Sequence, residues 1–87
     1  MERNEIFRAI EQERERQNLL HPMPILKRIK DDKDLQLIQN LILQNEMLSV
    51  LIEEVGEVGT ALQGEGDLKE ELIQVASVCV RWLESLQ

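Results

Sequence analysis

The segment "LIEEVGEVGTALQGEGDLKEELIQV" (residues 51–75) decides the fold, because it holds the end of one helix, a loop and the start of another. Gly64 supplies a residue that tolerates the left-handed conformation common after a helix. Asp67, with Glu70 three positions later, matches a capping box for the next helix. The five-residue loop "QGEGD" makes the two helices antiparallel neighbours. The segment therefore predicts a helical hairpin.

The helix before the loop is long. Asp31 or Asp32 can cap its start, and it should end near Gln63. About 30 residues at about 1.5 Å each give roughly 45 Å, more than a small core needs. A helix of this length favours a bundle that a second chain completes. Its apolar residues recur at helical spacing without an intervening proline, at Leu37, Leu41, Leu48, Leu51, Val55, Val58 and Leu62.

The helix after the loop should run from about Leu68 to Leu86. Its inner stripe is expected to comprise Leu72, Val75, Ala76, Cys79, Leu83 and Leu86.

An N-terminal helix should begin at a cap on Asn4 and end near Asn18. Its "EQERERQ" portion is polar all round, which indicates a solvent-facing helix or one docked by charge, with helical pairs such as Glu11 and Arg14. Two prolines in "HPMP" predict a connector over residues 19–24.

The whole chain, 1–87, is expected to be a single all-α domain, with the N-terminal helix and connector in 1–24 and the hairpin in 31–87. A domain of 87 residues buries a modest core, which favours self-association. The net charge is −7, and such a surface repels nucleic acid and anionic membranes. A single cysteine, Cys79, and no apolar run of membrane-spanning length indicate a cytoplasmic protein.

Acidic residues crowd the apolar faces of the hairpin. Glu54 and Glu57 share one helix face, Glu71 and Gln74 share a face of the next helix, and the loop brings the two pairs to comparable heights. Lys69 is the only base in the segment, so these carboxylates lack counter-ions. Oxygen ligands without nearby His or Cys suit Mg²⁺, which binds through a few carboxylates together with substrate phosphates. The pattern is thus compatible with a metal–phosphate site.

The acidic residues of the hairpin also fit simpler interpretations. Glu53 can be solvated, and Glu70 can serve the capping box alone. A di-iron site would require a Glu-x-x-His motif, but the only histidine, His21, has Asn18 three positions before it.

Two other features could contribute to a site. The basic cluster Lys27, Arg28 and Lys30 could reach a triphosphate or be a solvated patch. Trp82 could stack on a base, although its helical spacing from Val78 and Leu86 is more typical of a core or interface.

"EEVGE" at 53–57 followed by "EELIQ" at 70–74 resembles the EExxE and ExxD motifs of the MazG-like, all-α nucleoside triphosphate pyrophosphohydrolases. The resemblance covers residues 47–86, and "ERERQ" at 13–17 is similar to the N-terminal segment of small bacterial and phage members.

The resemblance implies a homodimer or homotetramer that hydrolyses a nucleoside triphosphate, such as a dNTP, to the monophosphate and pyrophosphate. It implies Mg²⁺ ligands at Glu54, Glu57, Glu71 and Gln74, with Glu53 or Glu70 orienting water. Gln74 stands where the family usually has Asp, and a Gln carbonyl brings no negative charge to a metal. The alternative is a catalytically weak or inactive helical scaffold that retains the bundle.

Overall fold

The protein, in a computed structural model, is described over residues 1–20 and 32–86, and these residues form helices and no strand. α1 spans Arg3–Leu20, α2 spans Lys33–Leu62 and α3 spans Leu68–Ser85. The all-α class and the hairpin are confirmed. None of these three helices combines the length and hydropathy that a bilayer crossing requires. His21, residues 22–24 of the expected connector and the basic cluster Lys27, Arg28 and Lys30 lie outside the described residues.

Aspartates begin both helices of the hairpin. Asp32 Oδ1 accepts hydrogen bonds from the backbone N–H groups of Asp34 at 3.0 Å and Leu35 at 3.1 Å. Asp67 Oδ1 accepts from the N–H groups of Lys69 at 2.9 Å and Glu70 at 3.4 Å. Each aspartate satisfies two backbone donors that have no partner within the helix. Asp32, rather than Asp31, is therefore the cap of α2, and the predicted cap of α3 is confirmed.

Glycines end α2 as the sequence predicts. Gly64 has φ of 89°, its N–H donates to the Ala61 carbonyl at 3.0 Å, and the Glu65 N–H donates to the Thr60 carbonyl at 3.3 Å. These two bonds form a Schellman motif, which satisfies carbonyls at the helix end. Gly66 follows with φ of 140°, so the chain reverses direction within five residues.

The predicted limits of α1 are wrong at both ends. The helix begins at Arg3, so Asn4 lies inside its first turn and does not cap it. It continues to Leu20, so the first two residues of the expected connector are helical. A proline restricts the residue directly before it, and the proline nearest to α1 follows His21. The helix can therefore continue to Leu20.

α3 lies between the other two helices. Contacts join α2 to α3 and α1 to α3, whereas no Cα atom of α1 comes within 8 Å of one in α2. α1 contacts α3 at Ser77, whose hydroxyl lies 3.5 Å from the Ile10 carbonyl, and at Glu84, which pairs with Arg14. The Trp82 indole N–H donates to the side-chain oxygen of Gln44, near the far end of the antiparallel hairpin. The first ten or so residues of α2 therefore extend beyond α3.

The buried core within the described residues is small. Its buried apolar side chains are Met47, Ala61 and Val78, and Ser77 is fully buried against α1. Because α3 packs on two helices, its buried positions are consecutive residues that face different neighbours, rather than one stripe.

Both predicted apolar stripes need correction. Leu51 and Val58 are half-buried along with Val75, Ala76 and Cys79. The remaining members of the two stripes are exposed: Leu37, Leu41, Leu48, Val55, Leu62, Leu72, Leu83 and Leu86.

α1 is docked by charge, and one arginine is buried. Arg14 Nε donates to Glu84 Oε1 at 3.1 Å, Arg14 Nη2 donates to Glu84 Oε2 at 2.8 Å, and Nη2 also donates to the Asn18 side-chain oxygen at 3.0 Å. The hydrogen bonds with Arg14 hold the pKa of Glu84 below its ordinary value. The expected pair of Arg14 with Glu11 is thus replaced by a bidentate pair with α3, and the solvent-facing interpretation fails at Arg14.

We expect Glu84→Gln to lower the free energy of unfolding by about 1 kcal/mol at neutral pH, because Arg14 loses its charged partner and Glu84 is half-exposed. A lowered carboxyl pKa contributes stability above the ordinary value of 4.5 and loses it as pH falls through the folded-state pKa. The deficit should therefore shrink in acid. Urea unfolding followed by circular dichroism, at neutral pH and in acid, measures the loss of unfolding free energy. Glu15→Gln, the same change at an exposed helical residue, is the control, and an equal loss in both variants would contradict the prediction.

Candidate functional site

The hairpin brings Glu54, one member of the first predicted pair, together with Glu71 and Gln74 across the α2–α3 contact. Glu54 lies in the last third of α2 and is half-buried, and Glu71 and Gln74 lie one turn apart near the start of α3 and are also half-buried. The Schellman turn and the Asp67 cap set the relative height of the two helices. The residues that the sequence places at similar distances from the loop are therefore neighbours in the fold.

Gln74 links the carboxylates of the two helices. The orientation of its amide is assigned from the hydrogen-bonding groups around it: two carboxylates face it, so the nitrogen points towards them and donates to Glu54 Oε2 at 3.0 Å and to Glu71 Oε2 at 3.2 Å. The neutral amide thus supplies the hydrogen-bond donors that two nearby anions need. This orientation turns the amide oxygen, the atom expected to ligate a metal, away from Glu54 and Glu71.

Burial and neighbouring charges both act on Glu54. Its partial burial raises the pKa of the carboxyl above the ordinary value, and the negative charges of Glu71, Glu57 and Glu53 raise it further. A smaller contribution comes from Glu13 of α1. Negative charge is therefore concentrated at Glu54, and a bound cation would relieve it.

Other predicted site residues lie further from this contact. Glu53, Glu57 and Glu70 are exposed, and the first two affect Glu54 through their charge. Over residues 1–20 and 32–86, no three His, Cys, Asp or Glu side chains converge closely enough to hold a metal ion. The cluster therefore offers Glu54, Glu71 and the Gln74 amide as its nearest set of polar groups.

α1 adds charged residues that the sequence analysis did not assign to the site. Glu13 accepts two hydrogen bonds from Arg16, at 2.8 Å from Nε and 2.6 Å from Nη2, and these bonds lower the pKa of Glu13. Arg16 also lies near enough to Glu54 and Glu70 for their charges to raise its pKa. A signal was present in the sequence, because Glu13 follows Ile6 and Ile10 at helical spacing and so belongs to the inner face of α1.

A groove of about 840 Å³ lies between α1 and α3 beside the acidic cluster. Ala9 and Ile73 give it apolar surface, and Gln74 gives it a polar group. Its charged groups are of both signs, namely Arg16, Lys69, Glu13 and Glu70. The groove shares Gln74 with the carboxylate contact, so a molecule lying in it would touch the same amide. Basic groups therefore come from α1 and from the start of α3.

Trp82 is half-buried and is held by its hydrogen bond to Gln44 of α2. The contact supports the interpretation of this tryptophan as a packing residue between the hairpin helices.

Comparisons with protein-family models, with curated protein sequences and with solved structures find no match to this chain.

Removing the Glu54 charge should stabilise the metal-free protein at neutral pH. We expect Glu54→Gln to gain about 0.5 kcal/mol, since it relieves several like-charge interactions of about 0.2–0.5 kcal/mol and keeps an oxygen for the Gln74 amide. The corresponding rise in Tm is about 2–4 °C. Differential scanning calorimetry in EDTA at one protein concentration measures it.

The stability gain from Glu54→Gln should depend on pH. A carboxyl with a raised folded-state pKa costs stability as pH rises through that pKa, and costs nothing below the ordinary value of 4.5, where it is protonated in both states. The gain from Glu54→Gln should therefore vanish in acid. Glu46→Gln, an exposed acid on the same helix, is the control. A lower Tm for Glu54→Gln at neutral pH would show that the charge of Glu54 is already compensated.

Proposed function

We propose that this protein is a Mg²⁺-dependent nucleoside triphosphate pyrophosphohydrolase, acting on a dNTP to give the monophosphate and pyrophosphate. The observation that carries the proposal is the contact of Glu54 and Glu71 with one amide across the α2–α3 contact. These acids belong to the two motifs that resemble the MazG-like family, and burial together with the neighbouring carboxylates raises the pKa of Glu54, so a cation beside it would be favoured.

The donor set suits a hard cation. Glu54 and Glu71 would hold Mg²⁺, with Glu57 after a side-chain rotation and Gln74 after its amide turns to present oxygen. The ion would neutralise phosphate oxygens of the substrate. Glu53 or Glu70 would accept a proton from the attacking water, and both are exposed enough to meet solvent.

The α1–α3 groove fits a substrate lying beside this cluster. Arg16 and Lys69 would offset negative charge on a phosphate that the acids alone would repel. We further propose that the protein works in the cytoplasm as a homodimer or homotetramer, with the nucleotide rather than nucleic acid or membrane as its partner.

A catalytically weak or inactive helical scaffold is the second candidate, and the orientation of Gln74 favours it. The amide donates to both Glu54 and Glu71, so hydrogen bonds of the chain itself offset part of the repulsion between these carboxylates. In this candidate the acidic motifs persist as part of the hairpin packing.

Pyrophosphate release tests the hydrolase. The purified protein is incubated with each of the four dNTPs and Mg²⁺, and we expect release that EDTA abolishes. Glu54→Gln and Glu71→Gln should each lower the rate about 100-fold or more, because they remove several kcal/mol of metal-dependent stabilisation. Glu46→Gln should retain the rate of the unsubstituted protein. Equal rates in the protein and in Glu54→Gln would refute the proposed site.

Gln74→Asp separates the two candidates. Without metal it loses two hydrogen bonds and adds a third negative charge, so we expect a loss of about 1 kcal/mol, or about 4–8 °C in Tm. With Mg²⁺ the hydrolase proposal predicts recovery of Tm and tighter binding by calorimetry than in the unsubstituted protein. Gln74→Asn is the control, because its side chain has the length of aspartate but carries no charge. If Mg²⁺ leaves the Tm of Gln74→Asp unchanged, the scaffold is favoured.

A further inference from the structure

Glu13 and Arg16 form an ion pair on the side of α1 that borders the α1–α3 groove. Arg16 Nε donates to Glu13 Oε2 at 2.8 Å, and Arg16 Nη2 donates to Glu13 Oε1 at 2.6 Å. Both carboxylate oxygens therefore bind one edge of the guanidinium. Because both residues line the groove, the pair lies where a ligand in the groove would contact α1.

The two partners differ in exposure, which separates this pair from an ordinary surface ion pair. The side chain of Glu13 is 14% exposed, whereas that of Arg16 is 54% exposed. The Gln17 side chain also hydrogen-bonds to Glu13, so a second residue of α1 restrains the carboxylate. Two mobile, exposed partners would gain little from pairing. Here a mostly buried carboxylate holds an exposed guanidinium in one orientation.

The ion pair leaves a second edge of the Arg16 guanidinium for another acceptor. A guanidinium has five N–H donors in a fixed plane, and the bonds to Glu13 use the donor on Nε and one donor on Nη2. Over residues 1–20 and 32–86, Glu13 is the hydrogen-bond partner of Arg16. The edge formed by Nη1 and Nη2, named here the outer edge, can therefore donate two parallel hydrogen bonds. Such a pair of donors matches two oxygens of a phosphate.

The surroundings of Arg16 connect this edge to the acidic cluster. Lys69, in the first turn of α3, lines the same groove and adds positive charge at a helix N-terminus. The charges of Glu54 and Glu70 act on Arg16, so these carboxylates lie near it. A phosphate on the outer edge would thus lie beside the carboxylates proposed to hold Mg²⁺, and phosphate oxygens are ligands that Mg²⁺ shares with protein carboxylates.

We propose that the outer edge of Arg16 binds a phosphate group of the substrate triphosphate and that Glu13 is a positioning residue that holds Arg16 in the required orientation. The inference rests on the proposed function for the identity of the ligand. It assigns Glu13, an acid, a favourable part in binding an anion. An arginine already ordered by Glu13 loses less side-chain freedom when the phosphate binds.

The sign of the effect of Glu13→Gln distinguishes positioning from charge. If charge alone governs binding, removing an acid from the groove should tighten the binding of an anion. If Glu13 positions Arg16, the same change should weaken binding, because the guanidinium loses its charged anchor. At an ionic strength of about 0.15 M, charges separated by more than about 8 Å are largely screened. Direct contacts therefore dominate a measurement made at this ionic strength.

Calorimetric titration with inorganic tripolyphosphate, which has no base or sugar, tests the contact. It is carried out with Mg²⁺ and separately in EDTA. We expect Arg16→Gln to raise the Kd about 10-fold or more, the usual loss for hydrogen bonds to a charged group. Glu13→Gln should raise it about 3-fold or more. The matched control is Arg8→Gln, the same change at an exposed arginine of α1 that does not line the groove, and its Kd should stay within about 2-fold.

Two further variants show whether Glu13 acts through Arg16. Arg16→Lys keeps the positive charge but lacks the planar pair of donors, so it should bind tripolyphosphate nearly as weakly as Arg16→Gln. Adding Glu13→Gln to Arg16→Gln should cause no further loss, because the residue that Glu13 positions is already gone. A general structural role of Glu13 would instead weaken binding in both backgrounds. Circular dichroism should show that every variant stays helical, since Arg14 and Glu84 still dock α1.

Each other outcome decides against a defined part of the proposal. Unchanged or tighter binding in Glu13→Gln would overturn the positioning role. A Kd that Arg16→Gln leaves unchanged, or no tripolyphosphate binding in either condition, would overturn the phosphate contact. The hydrolase fails separately: the expected Kd values without pyrophosphate release would count against hydrolysis and leave the contact supported. Pyrophosphate release with a KM that Arg16→Gln does not raise would refute the contact and leave the hydrolase supported.

Discussion

The arrangement of the three helices depends on the position of α3 between α1 and α2. α1 and α2 do not meet through their backbones, so their relative placement is transmitted through α3. Ser77 makes the contact with α1 close: it is fully buried, its hydroxyl donates to the Ile73 carbonyl at 2.7 Å, and it lies 3.5 Å from the Ile10 carbonyl. A small side chain that satisfies its own hydroxyl allows this approach without leaving an unpaired polar group.

This placement also sets the electrostatics of the candidate site. With α1 against α3, Glu13 and Arg16 lie beside the start of α3 and near Glu54, although about 40 residues separate them from it in sequence. The cluster thus combines acids from all three helices with Arg16, which donates two hydrogen bonds to Glu13. Gln74 reduces the repulsion between Glu54 and Glu71 by donating to both, which a carboxylate at this position could not do.

Local features of the hairpin were predictable from the sequence. The caps at Asp32 and Asp67 and the Schellman turn at Gly64 each depend on residues within a few positions of one another, and all three are present. The limits of α1 were not predictable in the same way. The helix begins before Asn4, the expected cap, and its C-terminal half is held by the ion pair of Arg14 with Glu84, 70 residues away. The position of Glu54 beside Glu71 followed from the loop, whereas the nearness of Glu13 required knowing how α1 packs.

The sequence by itself determined three helices, the antiparallel hairpin and the pairing of the two acidic motifs, because these follow from helical periodicity, capping and a short loop. Only the tertiary structure decided which apolar stripes face the partner helix and which face outwards, since both have the same period and a helix has no preferred side until it packs. It also decided the role of Gln74, whose amide can present either nitrogen or oxygen. The surrounding carboxylates, which accept but do not donate hydrogen bonds when ionised, turn the nitrogen towards themselves.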